Sequence, residues 1–163
     1  MIKEMAKGKE AAFERFDAAY GRFIYVVAAS VSKSSYLAEE IVDDVLVKIW
    51  QKASTLKYIE KPLGWLYIIT SNCAKDKHKN EKPFSEIYDI PQDDKNIERF
   101  VMKEAFLSHI APLNEEERLI MILKFIQDLS LESIAKALNK PLSTASSTYY
   151  RALNKLKQTT KKF

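Results

Sequence analysis

The 163-residue chain contains one cysteine, three glycines and five prolines, and each shortage excludes something. A lone thiol, Cys73, closes no intrachain disulfide. With only two histidines, His78 and His109, far apart in the sequence, it also completes no structural zinc site. The expectation is an intracellular protein that carries no metal and no cofactor. So few glycines and prolines leave an all-β chain without the punctuation its many turns need, and helices are the expected material. The longest apolar run, about Phe23 to Ala29, is too short to span a bilayer, and the opening MIKEMAKGKE lacks the apolar stretch of a signal peptide. A cytoplasmic chain that inserts into no membrane is therefore expected. There is no glycine-rich phosphate loop and no internal repeat. Asp76 and His78, two positions apart, do not face each other on a helix, and no second cluster completes a catalytic site. No enzymatic activity is expected.

What is present favours helices with a real core. Hydrophobic residues make up 47% of the chain, and the formal charge of +4 suits a polyanionic partner if the charge is concentrated locally. From Ala11 to Val31, Phe13, Phe16, Tyr20, Phe23, Ile24, Val27 and Val31 recur at helical spacing along one face. The polar break SKSS at 32–35 is followed by a second stripe, Leu37, Ile41, Val45 and Ile49, with Glu39, Glu40, Asp43 and Asp44 crowding the opposite side. A third helix should begin at Pro62, whose missing N–H costs nothing in a first turn. It should carry Leu63, Leu66, Tyr67, Ile69 and Thr70 inward, and it ends in KDKHKNEKP, the first concentration of lysines.

Residues 81–97, EKPFSEIYDIPQDDKNI, combine two prolines with many acids and no 3.6-residue period, and they read as a flexible linker. The expected architecture is all-α: a domain at 1–80, the linker at 81–97 and a second domain at 98–163. In the second domain Phe100, Ala105, Phe106, Leu107 and Ile110 suggest a helix stopped near Pro112. Asn114 and Glu117 form a plausible capping pair for a helix over 115–126. Ser130 should cap the next helix, which buries Leu131, Ile134, Ala135 and Leu138. Asn139, Lys140 and Pro141 break that helix, and Ser143 or Thr144 is placed to cap a last one reaching about Gln158. This is a helix-turn-helix pattern.

A recognition helix needs short side chains near its N-terminus, so that the backbone can enter the major groove, and phosphate donors farther along. STASSTYYRALNKLK meets both needs. Ser143, Ser147 and Tyr150 fall on one side with Thr144 and Arg151 adjacent, while Ala145, Tyr149, Ala152, Leu153 and Leu156 face inward. From Asn139 to Phe163 there are six basic residues and no acid.

The whole pattern resembles the extracytoplasmic-function group of bacterial RNA polymerase sigma factors, in the sigma-70 family. AEEIVDDVLVKIW, residues 38–50, looks like the family helix that grips core polymerase. GWLYIITSNCAKDKHK, residues 64–79, looks like its downstream promoter helix, and DLSLESIAKALNKPLSTASSTYYRALNKLK resembles its upstream-element reader. The resemblance implies a specificity subunit with core RNA polymerase, promoter DNA and an anti-sigma protein as partners. It places polymerase contacts at Glu40, Asp43, Asp44 and Val47. Downstream contacts and strand opening fall to Ser54, Thr55, Lys57, Tyr58, Asn72, Lys75, Asp76, Lys77 and Lys79, and upstream contacts to Ser143, Thr144, Ser146, Ser147, Tyr150, Arg151 and Lys155. Ser146 and Thr148 stand where the family often has basic residues, so the upstream grip is expected to lean on hydroxyls, Arg151 and the later lysines. Leu46 stands where phenylalanine is common and is expected to make the polymerase-facing surface slightly smaller. Trp50 and Trp65 read as core. A stand-alone helix-turn-helix regulator and a sigma-derived protein-interaction module are the alternative readings.

Overall fold

A computed structural model of the chain describes residues 1–56, 62–80 and 104–160, so the expected linker at 81–97 and the candidates Lys57 and Tyr58 lie outside the described residues. Every regular element among those residues is an α-helix. The chain divides into two compact units, Met1–Asn80 and Glu81–Phe163.

The first unit holds α1 (Ile2–Met5), α2 (Glu10–Ser32), α3 (Ser35–Lys52) and α4 (Pro62–Asn80). Its centre is α2, which packs against the other three, while α3 and α4 also pack on each other. The expected single stripe holds for the first half of α2, where Phe16 is buried and Glu14, Arg15 and Asp17 are exposed. From Phe23 through Ala29, however, every residue is buried. Helices α3 and α4 both pack on α2, so the apolar run that is too short for a membrane is instead the middle of a core. Each large side chain fully buried there contributes about 1.5–3 kcal/mol relative to exposure.

With glycine scarce, other residues make the sharp helix ends. Lys33 closes α2 in the left-handed region at φ 57°, and the Ser34 hydroxyl then accepts the Leu37 N–H at 3.3 Å to start α3. On α3 the stripe Leu37, Ile41, Val45 and Ile49 is buried as the spacing predicts, and Trp50 meets Phe13 edge-on at 5.4 Å. Leu46 departs from expectation: at 7% exposure it belongs to the core, lying about 60° around the helix from the buried Ile49. Helix α4 begins at Pro62 and buries Leu66, Thr70, Ser71, Cys73 and Ala74. Trp65 is half-buried.

The second unit contains the helical residues 104–110 (α5), then α6 (Glu115–Phe125), α7 (Leu131–Leu138) and α8 (Leu142–Thr160). Asn114 and Glu117 form the full capping box: the Asn114 side chain accepts the Glu117 N–H at 2.9 Å, and the Glu117 carboxylate accepts the Asn114 N–H at 3.0 Å. Ser130 caps α7 by accepting the Ser133 N–H at 3.1 Å. Asn139 closes α7 at φ 54°, an αL position that asparagine tolerates. Of the expected inner face of α7, Ile134 and Ala135 are buried and Leu131 and Leu138 half-buried. The last helix starts earlier than its serine and threonine suggest. It begins at Leu142, directly after Pro141, so Ser143 and Thr144 lie in its first turn instead of capping it. Helix α8 packs on both α6 and α7.

Candidate functional site

Three ridges carry the candidate residues, and each follows from helix geometry at about 100° per residue. On α3, Tyr36, Glu40, Asp43, Asp44 and Val47 fall within a strip about 100° wide. All five are exposed, Tyr36 at 70% and Val47 at 51%, opposite the buried stripe. The sequence reading missed Tyr36, although its place four residues before Glu40 was a sufficient signal. On α4 the same spacing joins Ile68, Asn72, Lys75, Asp76 and Lys79, all exposed. Ile68, 60% exposed, is the residue missed there. Before this ridge, Ser54 and Thr55 are exposed beyond the end of α3, and the Thr55 hydroxyl donates to the Lys52 carbonyl at 2.8 Å.

Lys77 does not share the α4 ridge. It lies about 160° around the helix from both Lys75 and Lys79. Its ammonium faces α3, 2.7 Å from Glu40 Oε2 and 3.2 Å from Asp44 Oδ2. Partial burial pulls the pKa of Lys77 down, but hydrogen bonds to Glu40 and Asp44 and their charges more than offset this, leaving it above the ordinary lysine value. A residue expected on DNA is thus held by two residues expected on polymerase. Nearby, the Lys48 ammonium donates to Cys73 Sγ at 3.1 Å. That bond raises the lysine pKa against a smaller effect of burial, with Asp44 and Asp76 helping.

The third ridge lies on α8. Ser143, Ser147 and Tyr150 fall within about 60°, and Thr144, Arg151 and Lys155 widen the strip to about 140°. All six are exposed, while Ser146 is half-buried on its flank. Ala145 and Ala152 are buried, and Tyr149 is the more covered of the tyrosine pair. Thr148 departs from expectation: at 2% exposure it faces inward and receives a hydrogen bond from Arg151 at 3.4 Å. A basic side chain at that position would have no solvent or phosphate to meet.

Two of the lysines near this ridge have intrachain partners. Lys140 pairs with Glu116, whose carboxyl is held below the ordinary glutamate range by that bond. Lys155 Nζ lies 2.9 Å from both carboxylate oxygens of Glu117, a side chain with no exposed surface. Burial pushes the Glu117 pKa up, yet Lys155 and the Asn114 N–H together outweigh it and keep the carboxyl ionised. The sequence shows the capping role of Glu117 but not its burial, since its cation stands 38 positions away. Among the described residues no group of three or more His, Cys, Asp or Glu could hold a metal, and no helix is long and apolar enough to cross a membrane.

Residues 16–83 match the sigma-70 region 2 family, and residues 110–158 match sigma-70 region 4. The chain belongs to the sigma-70 family of RNA polymerase sigma factors, in its extracytoplasmic-function group. It is similar to the ECF RNA polymerase sigma factor SigW of Bacillus subtilis, 23% identical over 96% of this chain and 93% of that one. It is also similar to the RNA polymerase sigma factor YlaC of the same organism, 26% identical over 74% of this chain and 76% of that one. Among solved structures, CnrH in complex with the cytosolic domain of CnrY shares the fold, with a TM-score of 0.67 over 98% of this chain and 94% of that one at 18% identity. The sigma factor binds core RNA polymerase and promoter DNA, and it is a specificity subunit, not an enzyme. This resolves the choice between such a subunit and a stand-alone regulator. Region 2 spans α3 and α4 with their ridges, and region 4 spans α6, α7 and α8.

Proposed function

We propose that the sigma factor divides its work by ridge. The α3 ridge, Glu40, Asp43, Asp44 and Val47 with Tyr36 added, docks on core polymerase. The α4 ridge, Asn72, Lys75, Asp76 and Lys79, contacts the downstream promoter element, and Ser54, Thr55, Lys57 and Tyr58 assist strand opening by holding an unpaired base. Lys57 and Tyr58 enter on sequence grounds. The α8 ridge, Ser143, Thr144, Ser147, Tyr150 and Arg151 with Ser146 at its edge, reads the upstream element in the major groove. Domain 1–80 then carries polymerase binding and melting, 81–97 links, and 98–163 reads the upstream element.

The observation that carries the docking assignment is the composition of the α3 ridge. Three acids, Glu40, Asp43 and Asp44, share one exposed side of the helix with Lys77 bridging two of them, and two large apolar side chains, Tyr36 and Val47, stand exposed at its ends. A basic, partly apolar protein surface complements both features. On α8, short hydroxyl side chains in the first turns let the backbone approach the bases, and Arg151 supplies a donor for a base edge or phosphate. An anti-sigma protein that covers these ridges is the proposed regulator, and the cytoplasm, where polymerase works, is the proposed location. The similar CnrH is known in complex with a second polypeptide, the cytosolic domain of CnrY.

The test is the affinity of Asp43→Lys for core polymerase. Reversing an exposed charge at the docking face should weaken binding by roughly tenfold, mostly through slower association at low salt. Unchanged affinity would remove α3 as the docking helix.

A further inference from the structure

Resting on the docking assignment of α3, we infer that Lys77 is a resident competitor for the basic groups of polymerase: an intrachain cation on the inner edge of the docking ridge that holds core affinity below what the ridge's carboxylates would give. Three observations lead there. First, the ammonium touches Glu40 at 2.7 Å and Asp44 at 3.2 Å, two of the carboxylates on that ridge, so one positive charge stands where a docking cation would act. Second, Lys77 lies on the α3-facing side of α4, away from Lys75 and Lys79, so its position answers to the acids and not to the DNA ridge. Third, the alternative cation on α3, Lys48, directs its ammonium at Cys73.

The contact is built to yield. The Lys77 side chain keeps 27% exposure and its partners keep 45% and 50%, so water reaches all three groups and the pair is weak. Each carboxylate bonded to Lys77 also has a second oxygen, to which an incoming guanidinium can bind. Docking therefore requires neither unfolding nor a stranded buried charge. Its cost is shared attraction: with Lys77 in place, the field that steers a basic partner onto the ridge is reduced.

The experiment measures association and dissociation rates of the full chain with core polymerase across a salt series. Lys77→Gln should bind about three- to fivefold tighter than wild type, with the gain in association rate and shrinking as salt rises. Lys79→Gln is the charge control, since it removes the same charge from the far side of α4, and it should gain less than about twofold. In the Glu40→Gln/Asp44→Asn background the Lys77→Gln gain should disappear, because the attraction it relieves is gone. Thermal melts confirm that each variant is folded. A Lys77→Gln protein that binds core no tighter than Lys79→Gln, or whose gain persists without both acids, overturns the competitor role. If Glu40→Gln/Asp44→Asn itself binds core as wild type does, the docking assignment fails and the competitor role falls with it, so the two failures are told apart.

Discussion

Glu117 offers the sharpest test of how the second unit is held together. Its carboxylate accepts the Asn114 N–H at 3.0 Å, has no exposed surface, and lies 2.9 Å from Lys155 Nζ. It thus ties the start of α6 to the middle of α8. Glu117→Ala removes half of the capping box, which costs about 1 kcal/mol. It also removes a charge-assisted bond of about 1.5–3 kcal/mol. Lys155 is 45% exposed and rehydrates once freed, which discounts the second contribution. A net loss of about 2–3 kcal/mol should lower the midpoint of a unit this size by on the order of 10–20 °C. Glu117→Gln keeps an acceptor for the Asn114 N–H and loses only the charge, so about 1 kcal/mol is expected.

The pH dependence has a definite sign. The folded carboxyl titrates below the ordinary value of 4.5, so its stabilisation is complete above that value and is lost as pH falls through the folded pKa. The gap between wild type and Glu117→Gln should therefore close on acidification. The molecule supplies its own control, because both tryptophans, Trp50 and Trp65, lie in Met1–Asn80. Tryptophan fluorescence follows the first unit alone, while far-UV circular dichroism follows both. The Glu117 variants should move the dichroism transition and leave the fluorescence transition in place. Equal losses for Gln and Ala, or a matching shift in fluorescence, would refute the reasoning.

Other outcomes follow from the same structure. Thr148→Lys should lose about 2 kcal/mol or more in a denaturant melt because it forces a charge into a position 2% exposed, whereas Ser146→Lys should fold normally. Lys33→Gly should stabilise the first unit by up to about 1 kcal/mol in the fluorescence melt, since the φ of 57° strains a side chain that glycine lacks. Arg151→Ala should weaken binding to an upstream-element duplex by about 1–3 kcal/mol if it reads a base edge, and should lower the salt slope by about 1 if it meets phosphate.

Local chemistry was the legible part of this molecule. The capping box at Asn114 and Glu117, the Ser130 cap, the Pro62 start and the helix break at Asn139 each depend on residues within a few positions, and periodicity alone placed the buried stripe of α3. What stayed hidden was set by distant neighbours. Phe23 to Ala29 is buried throughout because other helices pack on α2, which no single-helix pattern states. Leu46 and Thr148 sit at the margins of their stripes, where a small rotation of the helix decides between core and surface. Lys77 read as one of a run of lysines, and only the packing of α4 on α3 assigns it to Glu40 and Asp44. The start of α8 at Leu142 was masked by the hydroxyl residues that follow Pro141, since serine and threonine signal a cap wherever they cluster near a break.

Transcription of fragmented genomic DNA by core polymerase, with and without the chain and with the 5′ ends mapped, tests promoter-specific initiation most directly. New start sites that depend on the chain, share spaced upstream and downstream elements, and fade with Asp43→Lys and with Arg151→Ala are the predicted result. The absence of any new start with a polymerase shown to be active would contradict it.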